Sequence, residues 1–510
     1  MCGIAALWGE SDRTTVEAIL NKLNHRGPDG EGLHVTSAER ATGASTLGHT
    51  RLAIIDPAGG RQPILGGAAD DEPALICNGM IYNYRQLRER LPGANFTTES
   101  DSESVLHGYL AWGERIVEAL DGMFAFVLLD GAGHLFAARD PLGIKPLYWG
   151  KVGGRLAFAS EIKALAGVAE EIEEFPAGHC YDSRKGLRRY YSVPQPRDTG
   201  ASEAESLTEL RMTMEKAVVK RLRSDVPLGC FLSGGLDSSI IAAVARQHLD
   251  TLHTFAVGLE GSSDLAAARK VARHLDTIHH EYVIEPREVV EVLPQVLHHL
   301  ESYDRDLVRS AVPTYFVARL AAQDMKVVLT GEGADELFAG YSYYADYDDP
   351  ALLQRELRRS LMAMHNVNLQ RVDRMTMAHS LEARVPFLDK TMLDLAMRIP
   401  AQWKQRPEKG CDGEKWILRK AFEDMLPEEI VWRGKLQFDE GSGFSDYLAD
   451  YAEREHAAGR IEESPHARNP EEALYRSLLG RTFDDPDLVL GLTAHWESGR
   501  EDQTVKKKAA

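Results

Sequence analysis

The sequence predicts a strand-rich α+β domain over residues 1–190, a linker over 191–206, and an α/β domain with a parallel sheet over 207–510. Three observations predict it. Short apolar runs separated by turn residues fill the first part. The stretch SVPQPRDTGASEAES then collects Pro, Ser, Gly and Thr, the composition of a connector. Beyond it, apolar strand runs each lead through a loop into a helical pattern, the rhythm of repeated βα units. A chain of 510 residues is also too long for one core.

In order, GHTRLAIID, PALICNGMIYNY, MFAFVLLDG, HLFAARD and RLAFAS read as strands with tight connections. TTVEAILNKL and SESVLHGYLAWG carry helical spacing. In the second part the strands are PLGCFL, LHTFAVGL and KVVLT, and from about residue 351 the pattern is mostly helical. The segment after about residue 440 is polar and shows no recognisable chemistry.

The formal net charge of −19 disfavours binding to nucleic acid and to anionic membranes. Lys506, Lys507 and Lys508 form the one obvious basic cluster, which reads as a solvated tail. Five cysteines without metal-ligand spacing, no signal-peptide pattern and no membrane-spanning apolar run predict a cytoplasmic protein with free thiols.

Cys2 directly follows Met1. If Met1 is removed, Cys2 carries a thiol and a free α-amine on one carbon. An α-amine ordinarily titrates at roughly 7.7–8.0 and a cysteine thiol at about 8.5, so the amine can accept the thiol proton. The alternative is a small apolar residue opening a strand.

SGGLDSS (233–239) lies between the strand PLGCFL and a helix pattern. Two glycines and three serines at such a turn let backbone amides close around a phosphate, aided by the helix dipole. No GK[ST] follows, so it is not a Walker A loop. Asp237 among phosphate-binding donors implies a cation, Mg²⁺. A plain helix cap is the alternative. GEGADE (331–336) sets Glu332, Asp335 and Glu336 on another loop beyond a strand, where open parallel sheets bind ligands. One of these carboxylates suits metal binding and another general base catalysis. LEARVPFLD adds the pair Glu382 and Arg384, and WRGKLQFDEGSG adds Lys435, a cation suited to developing phosphate charge; on spacing alone, ordinary surface charge is the alternative for both segments.

From Cys2 to about residue 445 the chain resembles the glutamine-dependent asparagine synthetases, of the bacterial type with an N-terminal Cys. The motifs that carry the resemblance are MCGI (1–4), HRGPDG (25–30), GHTRLAIID (48–56), SDSE (100–103), LDGMFAF (120–126), ARDPLGIKPLY (138–148), FASEIKAL (158–165), LSGGLDSS (232–239), GEGADELFAGY (331–341) and EARVPFLD (382–389). The resemblance implies an N-terminal-nucleophile hydrolase of αββα layers followed by a PP-loop ATP pyrophosphatase domain. Cys2 would hydrolyse glutamine. Arg51 would hold its α-carboxylate, Asp101 its α-ammonium, and Asn78 and Gly79 the oxyanion. Leu232, Ser233, Gly234, Gly235, Asp237, Ser238, Val257 and Gly331 would bind ATP, with Mg²⁺ on Asp237 and Asp335. Glu332 would be the base for ammonia, Lys435 would stabilise the reacting phosphate, and Glu382 joins the catalytic set. Aspartate would be adenylated, ammonia would arrive through an internal tunnel, and a homodimer is compatible with the family.

Two departures stand out. Where the family reads NGEIYN, this chain has Met80, so the glutamine ammonium loses an anionic partner and weak glutamine binding is expected. Where the family has a Thr-Thr pair, this chain reads YDRDLVR (303–309), which reshapes the acceptor pocket and leaves open an amidotransferase acting on another carboxylate. A ring-closing β-lactam synthetase is the nearer rival. Cys2 and Glu332 both argue for ammonia transfer.

Overall fold

A computed structural model describes residues 1–495 apart from 37–39, 41, 68–71, 410, 437, 462–463 and 484–485. The lysine cluster at 506–508 lies outside the described residues.

Among the described residues, twelve strands build the N-terminal half: β1 (Gly3–Leu7), β2 (Gly30–Val35), β3 (Thr46–Arg51), β4 (Ile64–Leu65), β5 (Ala74–Ile81), β6 (Gly122–Leu129), β7 (Leu135–Arg139), β8 (Tyr148–Val152), β9 (Arg155–Ala159), β10 (Glu170–Glu174), β11 (His179–Asp182) and β12 (Gly186–Arg189). They form two six-stranded sheets, ordered β10-β8-β9-β1-β3-β2 and β12-β11-β7-β6-β5-β4. Alternation along β1 explains the stacking. Ile4 and Ala6 face Ile76, Ala125 and Val127 of the second sheet. Ala5 and Leu7 face Val16, Ile19 and Leu20 of helix α1 (Arg13–Asn21). On the far side, Phe124, Phe126 and Phe136 pack with Val105, Leu106 and Tyr109 of α2 (Glu103–Trp112). The result is the αββα sandwich that the resemblance implied.

No helix or strand lies between Arg189 and Glu203. Helix α3 (Glu203–Arg221) then starts at a capping box, in which the Ser202 and Glu205 side chains satisfy each other's backbone amides. The C-terminal half holds a five-stranded, all-parallel sheet, ordered β15-β14-β13-β16-β17. Its strands are β13 (Leu228–Phe231), β14 (His253–Leu259), β15 (Ile278–Ile284), β16 (Val327–Leu329) and β17 (Glu382–Arg384). Helix α4 (Leu236–His248) covers one face with Ile240, Ile241 and Val244. Helix α5 (Arg305–Ala321) covers the other with Leu307, Val308 and Ala311. The chain leaves β13 toward β14 on one side and reaches β16 on the other, so the β13/β16 boundary is a topological switch point. Ligands bind beyond the carboxyl ends of the strands at such a point.

The halves meet through buried charge. Arg26 Nη1 lies 2.5 Å from Glu161 and 2.8 Å from Asp373 of helix α6 (Asn368–Met377). Lys145 also reaches Asp373, at 3.2 Å. Arg374 reaches Glu161 at 3.4 Å, and Lys163 reaches Glu301 at 3.7 Å.

Candidate active sites

Strand β1 is central in its sheet, and Cys2 sits just before it. The Cys2 backbone N–H donates to Asn78 Oδ1 (3.0 Å), and its carbonyl accepts from Arg26 Nε (3.0 Å). Asn78 comes from β5 in the opposite sheet, so stacking of the sheets assembles the pair. The side chain of Asn78 is fully buried, and its Nδ2 has no hydrogen-bond partner among the described residues. A buried amide donor beside a thiol is the chemistry an oxyanion needs. Gly79 is required by packing, since a Cβ there would lie 2.3 Å from the Met123 carbonyl oxygen.

The pocket around Cys2 is lined by Arg51, Gly79, Met80, Asp101 and Glu382. Carbonyls of Asp56 (2.6 Å) and Pro57 (3.0 Å) fix the Arg51 guanidinium. Asp101 Oδ2 accepts from the Ile81 N–H at 2.7 Å. Burial pushes its carboxyl up to about 6. Burial also raises the Cys2 thiol, partly offset by the Met1 ammonium. That ammonium lies 3.3 Å from Glu382 Oε2, and both groups are buried. Glu382 thus stands at the first site, although its strand belongs to the second half.

At the switch point a cavity of about 430 Å³ opens. Leu232, Ser233, Gly235, Asp237, Ser238, Val257, Gly331, Glu332, Asp335 and Lys435 line it together. Gly234 is not on the cavity wall. It adopts φ +73°, and a Cβ there would strike Ala267 and Ala268, so the turn before α4 admits only glycine. Gly331 brings the two loops together, because a Cβ on it would lie 2.8 Å from Asp237 Cβ.

Lys415, absent from the sequence reading, bridges the two acidic loops. Its Nζ lies 2.5 Å from Asp237 and 2.6 Å from Asp335. Lys435 approaches Asp335 at 2.8 Å. Burial would raise the Asp335 carboxyl, but the two lysines outweigh it and hold it well below the usual range. Arg371, also missed, pairs with Glu332. Glu336 accepts from Tyr341 and Asn368, both at 2.7 Å, and burial pushes it up to about 7. From α5, Arg305, Asp306, Arg309 and Ser310 reach the same cavity.

A thiol site in an αββα sandwich and a switch-point cavity with paired carboxylates define a two-site amidotransferase. Residues 1–177 match the glutamine amidotransferase domain, and residues 209–352 and 345–504 match asparagine synthase. The glutamine-hydrolysing asparagine synthetase 2 of Arabidopsis thaliana is 42% identical over 481 residues, covering 89% of this chain and 82% of that protein. The glutamine-hydrolysing asparagine synthetase of Asparagus officinalis is 43% identical over 470 residues, covering 87% and 78%. The chain belongs to the asparagine synthase family.

Proposed function

We propose that the chain makes asparagine, AMP and pyrophosphate from aspartate, ATP and glutamine. The observation that carries this reading is the pairing, in one chain, of Cys2 beside the unpartnered Asn78 amide with a cavity that joins the SGGLDSS and GEGADE loops. With Met1 removed, the Cys2 amine takes the thiol proton and the thiolate attacks the glutamine side-chain carbonyl. Asn78 Nδ2 and the Gly79 N–H receive the oxyanion. Ammonia leaves, and water releases glutamate from the thioester. Arg51 is placed for the α-carboxylate by its carbonyl clamp.

In the cavity, the SGGLDSS amides and the α4 N-terminus bind ATP phosphates. Aspartate attacks the α-phosphorus, forming an acyl adenylate and releasing pyrophosphate. Lys435 neutralises charge on the reacting phosphate, and Glu332 takes a proton from the attacking ammonia. Asp237 and Asp335 would hold Mg²⁺, which when bound offsets phosphate charge. Asp237 Oδ1, a hard oxygen that is buried and unpartnered among the described residues, fits that ion. Asn78 Nδ2, Tyr82 Oη and Arg384 Nη2 are likewise unpartnered, which supports a polar passage from Cys2 toward β17. The division at 1–190, 191–206 and 207–510 draws support from the segment without helix or strand that precedes Glu203. A reducing, cytoplasmic setting draws support from five unpaired cysteines. No helix among the described residues is long and apolar enough to cross a membrane. The relatives named above lend no support to ring closure or to another carboxylate acceptor.

Cys2→Ala is the test. Glutamine-dependent asparagine formation should vanish while ammonia-dependent formation continues. Loss of both activities in a folded variant would defeat the division of labour between the sites.

A further inference from the structure

We infer that Glu382, carried in on the synthetase sheet, is the second anionic partner of the glutamine α-ammonium, in the role that Met80 leaves vacant. The inference rests on the reading of the Cys2 pocket as the glutamine site. Met80, Asp101 and Glu382 line that one pocket together with Cys2. Met80 is buried, and a thioether offers an ammonium no countercharge. Glu382 is 2% exposed, and its two oxygens have different partners. Oε1 accepts from Arg384 Nε at 2.7 Å, which anchors the carboxylate. Oε2 accepts from the Met1 α-ammonium at 3.3 Å.

An α-ammonium one residue from the nucleophile therefore already selects this oxygen. Removal of Met1 releases Oε2 without disturbing the Arg384 anchor. A primary ammonium carries three N–H donors, so Asp101 and Glu382 can both accept from it. The expectation of weak glutamine binding, drawn from Met80 alone, counted only Asp101. The carboxylate that restores the balance is 302 residues away in sequence from position 80, on β17 of the other half. On this account the glutamine pocket is complete only when the two halves are docked.

The test is steady-state glutamate release by the full chain with glutamine varied. Glu382→Gln should raise the glutamine KM about ten- to a hundredfold, the worth of one charge-assisted hydrogen bond, with kcat at saturation little changed. Adding Met80→Glu to that variant should bring KM back down, because the anion returns from the other wall. An unchanged KM in Glu382→Gln, or a fall in kcat at constant KM, would overturn the assignment. If Glu382→Gln does not fold, Met80→Glu alone decides. With two carboxylates already present its KM should stay level or rise, and a tenfold drop would overturn the inference. A native chain that releases no glutamate would defeat the reading of the pocket itself, and this assignment with it.

Discussion

Asp101 is a buried carboxylate and Asp335 a half-buried one, and their surroundings drive them apart. Asp101 has a backbone N–H from Ile81 but stands near the Glu382 charge, and burial dominates, taking it up to about 6. Asp335 has Lys415 and Lys435 within 2.8 Å, and stays ionised. One site is thus sensitive to mild acid where the other is not. As pH falls through the Asp101 value, the carboxylate gains a proton and, in the role proposed for it, ceases to offset the glutamine ammonium. Glutamine KM for glutamate release should therefore climb below about pH 6. Asp101→Asn should start with a high KM and lose that pH dependence. A native KM that is flat from about pH 8 to about pH 5 would remove Asp101 from the pocket's charge balance. Asp237, Asp335 and Glu332 were legible because motifs on loops beyond strands announce ligand contact, whereas Lys435 follows a helix and was named only with the motif of its own segment. Lys415 and Arg371 were not, because each sits at a helix where most cations are solvated, and only the fold aims them at carboxylates.

The elements show the same division between local and non-local signal. Apolar runs such as MFAFVLLDG and KVVLT became β6 and β16 near their expected bounds. Strand β15 was missed because His279, His280 and Glu281 interrupt its apolar character at the sheet edge. Strand β17 is three residues long, and its motif read as chemistry and not as a strand. The largest gap is the segment after residue 440, which looked featureless. Its helix α7 (Pro470–Gly480) spends its charge on α5 and not on water. Glu471 grips Arg309 through both oxygens, at 2.8 and 2.5 Å, and accepts from Tyr475. Arg468 bridges Asp304, the cap of α5, to Glu472. Asp304, Glu472 and His495 converge as metal ligands would, but Arg468 already supplies their countercharge. Since α5 presents Arg305, Asp306 and Arg309 to the synthetase cavity, α7 positions that wall of it, the one proposed to take the acceptor. Glu471→Ala should raise the aspartate KM about tenfold by freeing Arg309, while ATP KM and glutamate release hold. Glu471→Asp should recover part of the loss. Equal rises in the aspartate and ATP KM would mean general loosening of the cavity instead.

Across the whole molecule, the buried ion network decides how the halves act on each other. The linker composition made two units legible, yet nothing in the sequence joins Arg26 to Asp373, because pairs of that separation exist only in the folded chain. Arg26 does two things at once. Its Nε holds the Cys2 carbonyl at 3.0 Å, and its Nη1 is shared by Glu161 and Asp373. Two residues before Asp373 on α6, Arg371 pairs with Glu332 in the synthetase cavity. One short helix therefore touches the supports of both Cys2 and Glu332. Charges this deep are stable only while paired, since an unpaired buried ion costs several kcal/mol and an intact pair returns little beyond its own desolvation. Asp373→Asn removes one of the two carboxylates that pair with Arg26 and, with it, the partner of Lys145. The variant should lose about 3–5 kcal/mol, read as a lower urea midpoint for docking of the halves. Glutamate release should fall as well, because Arg26 loses one of the two carboxylates that aim it at Cys2. Added salt should restore little of either, as ions screen surface charge and not buried pairs. A native midpoint with native glutaminase activity in Asp373→Asn would show that Glu161 alone seats Arg26, and that α6 carries no link between the sites.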